Sequence, residues 1–248
     1  MRWERRTGAI ALAAVLLVVG WTWHRHHEAT ATSETTDPQR IRIVTAVYGG
    51  AATVAQITAA LQATRVVGSR PFPGGYDRDC GPGHGCSFGT AWSDDTTAPD
   101  GHNGCDTRND VLREQLVAVQ VTADSNGCKV ATGTLVDPYT GDLVDFAQRH
   151  YDIDIDHVVP LAYAWDMGAS GWSQQQREQF ANDTSIELLA SWGPANEDKG
   201  DSGPGEWLPP DVTFRCDYVL RFLQVVARYG LPITTADAQA AQGTARTC

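Results

Sequence analysis

The sequence predicts an α+β chain around a single core, and three stretches carry that prediction. Residues 117–146 (VAVQVTADSNGCKVATGTLVDPYTGDLVDF) read as a β-meander with Asn126–Gly127 and Pro138–Gly141 as its turns. Residues 211–230 place Phe214, Tyr218, Phe222, Val225 and Val226 on one helical face, with Gly230 as the stop. Residues 151–157 alternate Asp with Ile, the two-residue period of a strand. Of the 248 residues, 42% are hydrophobic and 20% charged, which is a globular composition rather than a disordered one.

The N-terminus is a targeting element. Arg2, Arg5 and Arg6 precede the sixteen-residue apolar run Gly8–Trp23, which is short against the roughly 20 residues of a membrane span. A small-residue site at Ala29–Ala31 fits a cleaved secretory signal, whereas the charged HRHHE at 24–28 fits an uncleaved transmembrane anchor. Both deliver the rest of the chain outside the cytoplasm, so the chain is expected to be secreted or extracytoplasmic and membrane-anchored. Residues 1–23 are read as signal or anchor, 24–67 as a tether with an Ala/Val-rich helical lead-in around Thr53–Val67, and 68–248 as one domain. Within it, 68–86 is a Gly/Pro-rich loop and 106–116 a helix capped by Asp106 or Thr107. Residues 173–183 form a helix, 185–191 a short apolar strand or turn, and 194–201 a helical turn.

Six cysteines after an export signal point to disulfides. Fifteen pairings are open, and proximity favours Cys80–Cys86, Cys105–Cys128 and Cys216–Cys248. No pair has the CxxC spacing of a zinc site. A net charge of −11 excludes a protein that grips nucleic acid mainly through its own positive charge, but not an enzyme whose metal supplies that charge locally.

Three pieces follow in order: DIDHVVPL, SIELLAS and ANEDKGD. The first can run along a strand, the second return beside it, and the third start a helix across both. That ββα arrangement, within residues 151–202, brings Asp156, His157 and Asn196 to one end.

With DHVVPL (156–161), AYAWDMGASGWS (162–173), FAND (180–183), ANEDKGD (195–201) and EWLPP (206–210), the sequence resembles the HNH (ββα-metal) endonuclease superfamily, specifically an exported bacterial branch whose first motif is Asp-His. GYDRD (75–79), GCDTRNDVL (104–112), GCKVATG (127–133) and DPYTG (137–141) extend the resemblance over residues 68–230. It implies a disulfide-stapled HNH nuclease core with a C-terminal helix.

The residue types suit the implied reaction. Phosphodiester hydrolysis needs an activated water and a stabilised leaving oxygen. His157 can take the proton. Asp156 and Asn196 offer oxygen donors to one divalent ion, Mg²⁺ in first place with Mn²⁺ or Zn²⁺ as alternatives. Lys199, three residues after Asn196, is assigned to phosphate. Arg78 and Arg108 are assigned to phosphate against an even alternative of structural ion pairs with Asp77 or Asp106. Many relatives carry Asn or His where this chain has Glu187; a carboxylate there can orient His157, bind metal or simply be solvated. Asp152 and Asp154 are read as a solvated strand face, His84 and His102 as exposed loop histidines, and Trp207–Pro210 as a packing corner.

The expected function is a metal-dependent endonuclease of low sequence specificity acting on DNA, with RNA as the alternative. An immunity protein or inhibitor would be a second partner, and the enzyme would act as a monomer. The competing class is a catalytically impaired HNH-fold module that binds nucleic acid or a cell-surface partner. A metallopeptidase is distant, because no HExxH helix is present.

Overall fold

A computed structural model describes residues 51–248, which fall in one compact unit, Val44–Cys248. The first helix, α1 (Val54–Gln62), opens with a capping box in which Thr53 and Gln56 satisfy each other's backbone N–H groups. It stops short of the expected Val67. Val66 and Val67 form β1 instead and pair in parallel with β7 (Ile233–Thr234), an extended role that β-branched residues favour. Ile57, fully buried, fixes α1 to the core.

The meander forms as three antiparallel strands in the order β2 (Val117–Val121), β3 (Val130–Val136) and β4 (Leu143–Asp145). Asn126 and Gly127 both take positive φ in the loop between the first two, the conformation that the Asn-Gly pair supplies cheaply. Ahead of the meander lies α2 (Thr107–Gln115), capped by Asp106. After it, α3 (Phe146–Arg149) and a 3₁₀ turn (His150–Asp152) lead into β5 (Ile153–His157).

The strand thus begins later than the Asp/Ile alternation suggests. Asp152 lies on the turn and pairs with Arg149 at 2.8 Å, leaving only Asp154 and Asp156 on the strand. Two helices that cover the core, α4 (Leu161–Asp166) and α5 (Gln174–Ala181), precede β6 (Leu188–Trp192). β6 returns antiparallel to β5 with Ile155 opposite Ala190 and Asp156 opposite Leu189. α6 (Gly193–Lys199) starts directly from β6, with Pro194 in its first turn.

This ribbon and helix stand between two apolar clusters. Ile153, Ile155, Leu188 and Ala190 face Val111, Leu112 and Leu135. Leu189, with Val158 and Val159 just beyond β5, joins the larger cluster of Phe180, Tyr218, Phe222 and Val226. The long helix α7 (Arg215–Tyr229) supplies the last three and ends at Gly230 in the left-handed region, φ 67°. The chain closes with α8 (Thr235–Ala245), which with α4 and the β1–β7 pair was not foreseen from sequence.

Cys80–Cys86, Cys105–Cys128 and Cys216–Cys248 are the three bridges, the set that proximity favours. One expectation is corrected. Among the described residues no helix is long and apolar enough to cross a membrane, so the transmembrane reading is not supported. The run Gly8–Trp23 that suggested it lies outside the described residues.

Candidate active site at the end of the β5–β6 ribbon

Successive residues of a strand point to opposite faces, so Asp156 and His157 leave β5 in different directions. Both still line one cleft of about 460 Å³, together with Arg78, Arg108, Asp154 and Asn196. Five of the seven sequence-derived candidates therefore meet there. The other two, Glu187 and Lys199, are fully buried behind it.

His157 is almost completely buried, and its Nε2 lies 2.9 Å from the Ala181 carbonyl oxygen at the end of α5. A carbonyl only accepts, so Nε2 carries the hydrogen and Nδ1 is left as the acceptor. The ring stacks on Trp92 with centroids 5.6 Å apart and planes 11° from parallel. Burial pushes the imidazole down to about 3, helped by the positive charges of Arg78 and Lys199 and opposed by the Ala181 carbonyl. The ring is neutral at physiological pH.

Asp156 accepts from Lys199 Nζ at 2.9 Å through one oxygen and from the Tyr139 hydroxyl through the other. Lys199 also donates to the His157 carbonyl at 2.8 Å. The assignment of Lys199 to phosphate is corrected by this geometry: an ammonium with no exposure, committed to two acceptors, is not available to substrate. It anchors α6 to the end of β5.

Glu187 is corrected in the same way as an orienter of His157. Its carboxyl oxygens accept from the Val159 N–H at 3.2 and 3.3 Å, and the hydrogen bond that fixes the His157 ring is donated to the Ala181 carbonyl. Burial drives Glu187 well above the ordinary carboxylate range, against the opposing Val159 N–H and Lys199.

Asn196, partly exposed, donates from Nδ2 to Asp154 Oδ2 at 3.1 Å. Asp154 is therefore not the solvated residue expected, and Asn196 engages Asp154 rather than Asp156. Arg108 donates to the Ile153 carbonyl at 2.7 Å, a backbone contact that holds it against the ribbon, with Asp154 and Asp106 as nearby negative charges. Arg78 is exposed at the rim.

Asp154, Asp156 and Asn196 offer oxygen donors of the type a divalent cation takes. Burial raises the Asp156 carboxyl despite Lys199 and Tyr139, and the nearby charge of Asp154 raises it further. The Asn196 side chain adds a neutral oxygen of the hard type that Mg²⁺ takes.

Sequence reasoning passed over Trp92, Tyr139 and the Ala181 carbonyl. Tyr139 lies in the turn DPYTG and folds back 17 residues along the chain; no one-dimensional pattern announces such a contact. Trp92 does carry a local signature once its backbone is known, a positive φ of 58° that is uncommon for a bulky residue.

Comparison with known proteins now adds the family. The sequence model for the C-terminal domain of GmrSD restriction endonucleases matches residues 106–240, more than half of the chain. The chain belongs to this family. The GmrSD C-terminal match runs from the cap of α2 to the middle of α8, and so contains every cleft residue except Arg78 and those of the preceding loop. An uncharacterized secreted protein of Arthroderma benhamiae is 39% identical over 145 residues, 58% of this chain and 68% of that protein. This relative takes the resemblance beyond a bacterial branch. No solved structure matches the chain.

Proposed function

We propose that the chain is a secreted, metal-dependent endonuclease of the HNH type, with His157 as the general base. Membership in a restriction endonuclease family supports nuclease chemistry in general. The HNH reading is supported by one observation above others. The ring of His157 is fixed by a carbonyl, so that a neutral Nδ1 remains as acceptor at the edge of a cleft holding carboxylates, an amide and two arginines. Export is supported by the secreted relative and by three disulfides.

In this reading a phosphodiester enters against Arg78 and Arg108. Burial is the main influence that holds His157 down and Arg78 the next; the negative charge of the substrate offsets the Arg78 part, and the basicity of the ring rises when substrate is present. His157 Nδ1 then takes the proton of the attacking water, and Ala181 stabilises the imidazolium by keeping its hydrogen bond. Asp156 and Asn196, joined by Asp154, would hold a divalent ion that neutralises charge on the phosphate and leaving oxygen. Tyr139 and Lys199 keep Asp156 in place.

The competing reading, an impaired binding module, rested on Glu187 standing where an orienting residue is expected. The Ala181 carbonyl accepts from the His157 ring instead, which supports the catalytic reading over the binding module.

The test is plasmid nicking by the purified chain with Mg²⁺, Mn²⁺ or Zn²⁺, with EDTA, and with His157→Ala. The proposal expects metal-dependent nicking that His157→Ala abolishes while nucleic-acid binding persists. Intact plasmid under all three metals would overturn it.

A further inference from the structure

Beside the cleft lies a second cavity of about 220 Å³ that shares Arg78, Trp92 and His157 with it but neither Asp154 nor Asn196. Phe88, Ala91 and Leu161 give it apolar walls. Its lining includes Asn182, which is 1% exposed. The amide nitrogen of Asn182 donates to the Glu178 carbonyl at 2.9 Å, whereas Oδ1 has no partner among the described residues. Buried acceptors are nearly always satisfied, so an orphan at the wall of a cavity points to a donor that arrives from outside.

We infer that this cavity receives one nucleobase next to the phosphate engaged at His157, with Asn182 Oδ1 accepting an amino or imino hydrogen from the base edge. The inference rests on the nuclease reading and supplies its substrate contact. The volume lies below the roughly 300 Å³ at which pockets for drug-sized ligands begin, which suits a single ring system and excludes a whole nucleotide. Phe88 and Trp92 place aromatic rings in the lining, the side-chain type against which unpaired bases pack. With its nitrogen committed to Glu178, Asn182 presents an acceptor alone and selects donors. Arg78 at the shared rim accounts for the neighbouring phosphate.

Chain order adds a coupling. Ala181, which orients His157, directly precedes Asn182, which contacts the base. Seating a base therefore steadies the segment that aligns the catalytic ring. A base inside a duplex cannot reach such a cavity without leaving the stack, so the preferred substrate is an unpaired nucleotide in a single strand, a loop or a frayed end.

The experiment uses the full chain and short single-stranded oligonucleotides with one mapped cut. An abasic nucleotide is moved through the positions flanking the cut, and adenine is compared with purine, which lacks the amino group. The inference expects a drop of roughly tenfold or more in single-turnover rate at one position only, and a smaller drop for purine there. In Asn182→Ala the difference between adenine and purine disappears. Because the substrate series is run on the unaltered protein, a variant that fails to fold does not remove the test. Abasic substrates all cut within about twofold of the parent would overturn the base site while leaving the nuclease intact. If no oligonucleotide is cut, the nuclease reading itself has failed. Adenosine 5′-monophosphate titrated into the chain and followed by NMR then decides the cavity. A saturable shift of the Asn182 side-chain amide supports it, and no shift up to millimolar nucleotide overturns it.

Discussion

Replacing Lys199 with methionine tests whether that residue serves substrate or scaffold. Its ammonium has no exposure and makes two contacts, to Asp156 at 2.9 Å and to the His157 carbonyl at 2.8 Å. Methionine fills much the same space but leaves a buried carboxylate with the Tyr139 hydroxyl as its remaining donor. Breaking a buried pair from one side costs about 3–5 kcal/mol. For a chain of this size each kcal/mol lowers Tm by roughly 2–4 °C, so the expected fall is about 6–20 °C in a thermal melt. The sign of its pH dependence follows from Asp156. Burial already raises this carboxyl, and loss of Lys199 removes the main influence that lowers it. A carboxyl raised in the folded state contributes stability below its unfolded pKa and loses it as pH rises through the folded value. The deficit of Lys199→Met is therefore smaller near pH 4 than at pH 7. Adding Asp156→Asn recovers part of the loss at neutral pH, since no buried charge is then left uncompensated. If Lys199→Met melts within about 1 °C of the parent and instead weakens nucleic-acid binding, the scaffold role is refuted and the phosphate contact read from the sequence is reinstated.

Three further outcomes are expected. Glu187→Gln keeps an acceptor for the Val159 N–H and loses a carboxyl that burial raises well above its ordinary range, so its stability matches the parent at acid pH. It exceeds the parent as pH rises, because the parent must then retain a proton that its unfolded chain releases; equal slopes of stability against pH would contradict this. Arg78→Gln lowers affinity and reduces the slope of log affinity against log salt by about 1, measured by anisotropy with catalysis blocked by EDTA. Serine replacement of both Cys216 and Cys248, separated by 32 residues, costs about 4 kcal/mol on loop entropy, against about 2 for Cys80 and Cys86, separated by 6. Cleavage follows the opposite order, because Cys80 lines the cavity beside His157; denaturation and nicking of the two double variants check both halves.

How much of this was legible before the structure depends on the range of each interaction. The meander, the Asp106 cap and the Gly230 stop are local, and turn and cap chemistry revealed them. The ββα order was also legible, since the three segments follow one another and each shows its own period. The parallel pairing of Val66 with Ile233 joins residues far apart in sequence, and two-residue strands leave no periodic trace. At the site, the residue types that converge on the cleft could be named, but their partners could not. Lys199 looked like a phosphate ligand because lysines are rarely buried; only the packing of α6 against β5 shows that Asp156 is its partner. Asp154 looked solvated because alternation does not reveal which face of a ribbon another helix covers.

None of the three disulfides crosses the β5–β6–α6 unit. Cys105–Cys128 and Cys216–Cys248 join separate segments, and Cys80–Cys86 closes the loop just after Arg78 and before Phe88 and Trp92. In redox terms the molecule is divided: the β5–β6–α6 unit carries no thiol, while Cys80–Cys86 adds an oxidation-dependent constraint to a rim loop that core packing of Phe88 and hydrogen bonds from Arg177 and Gln174 also hold.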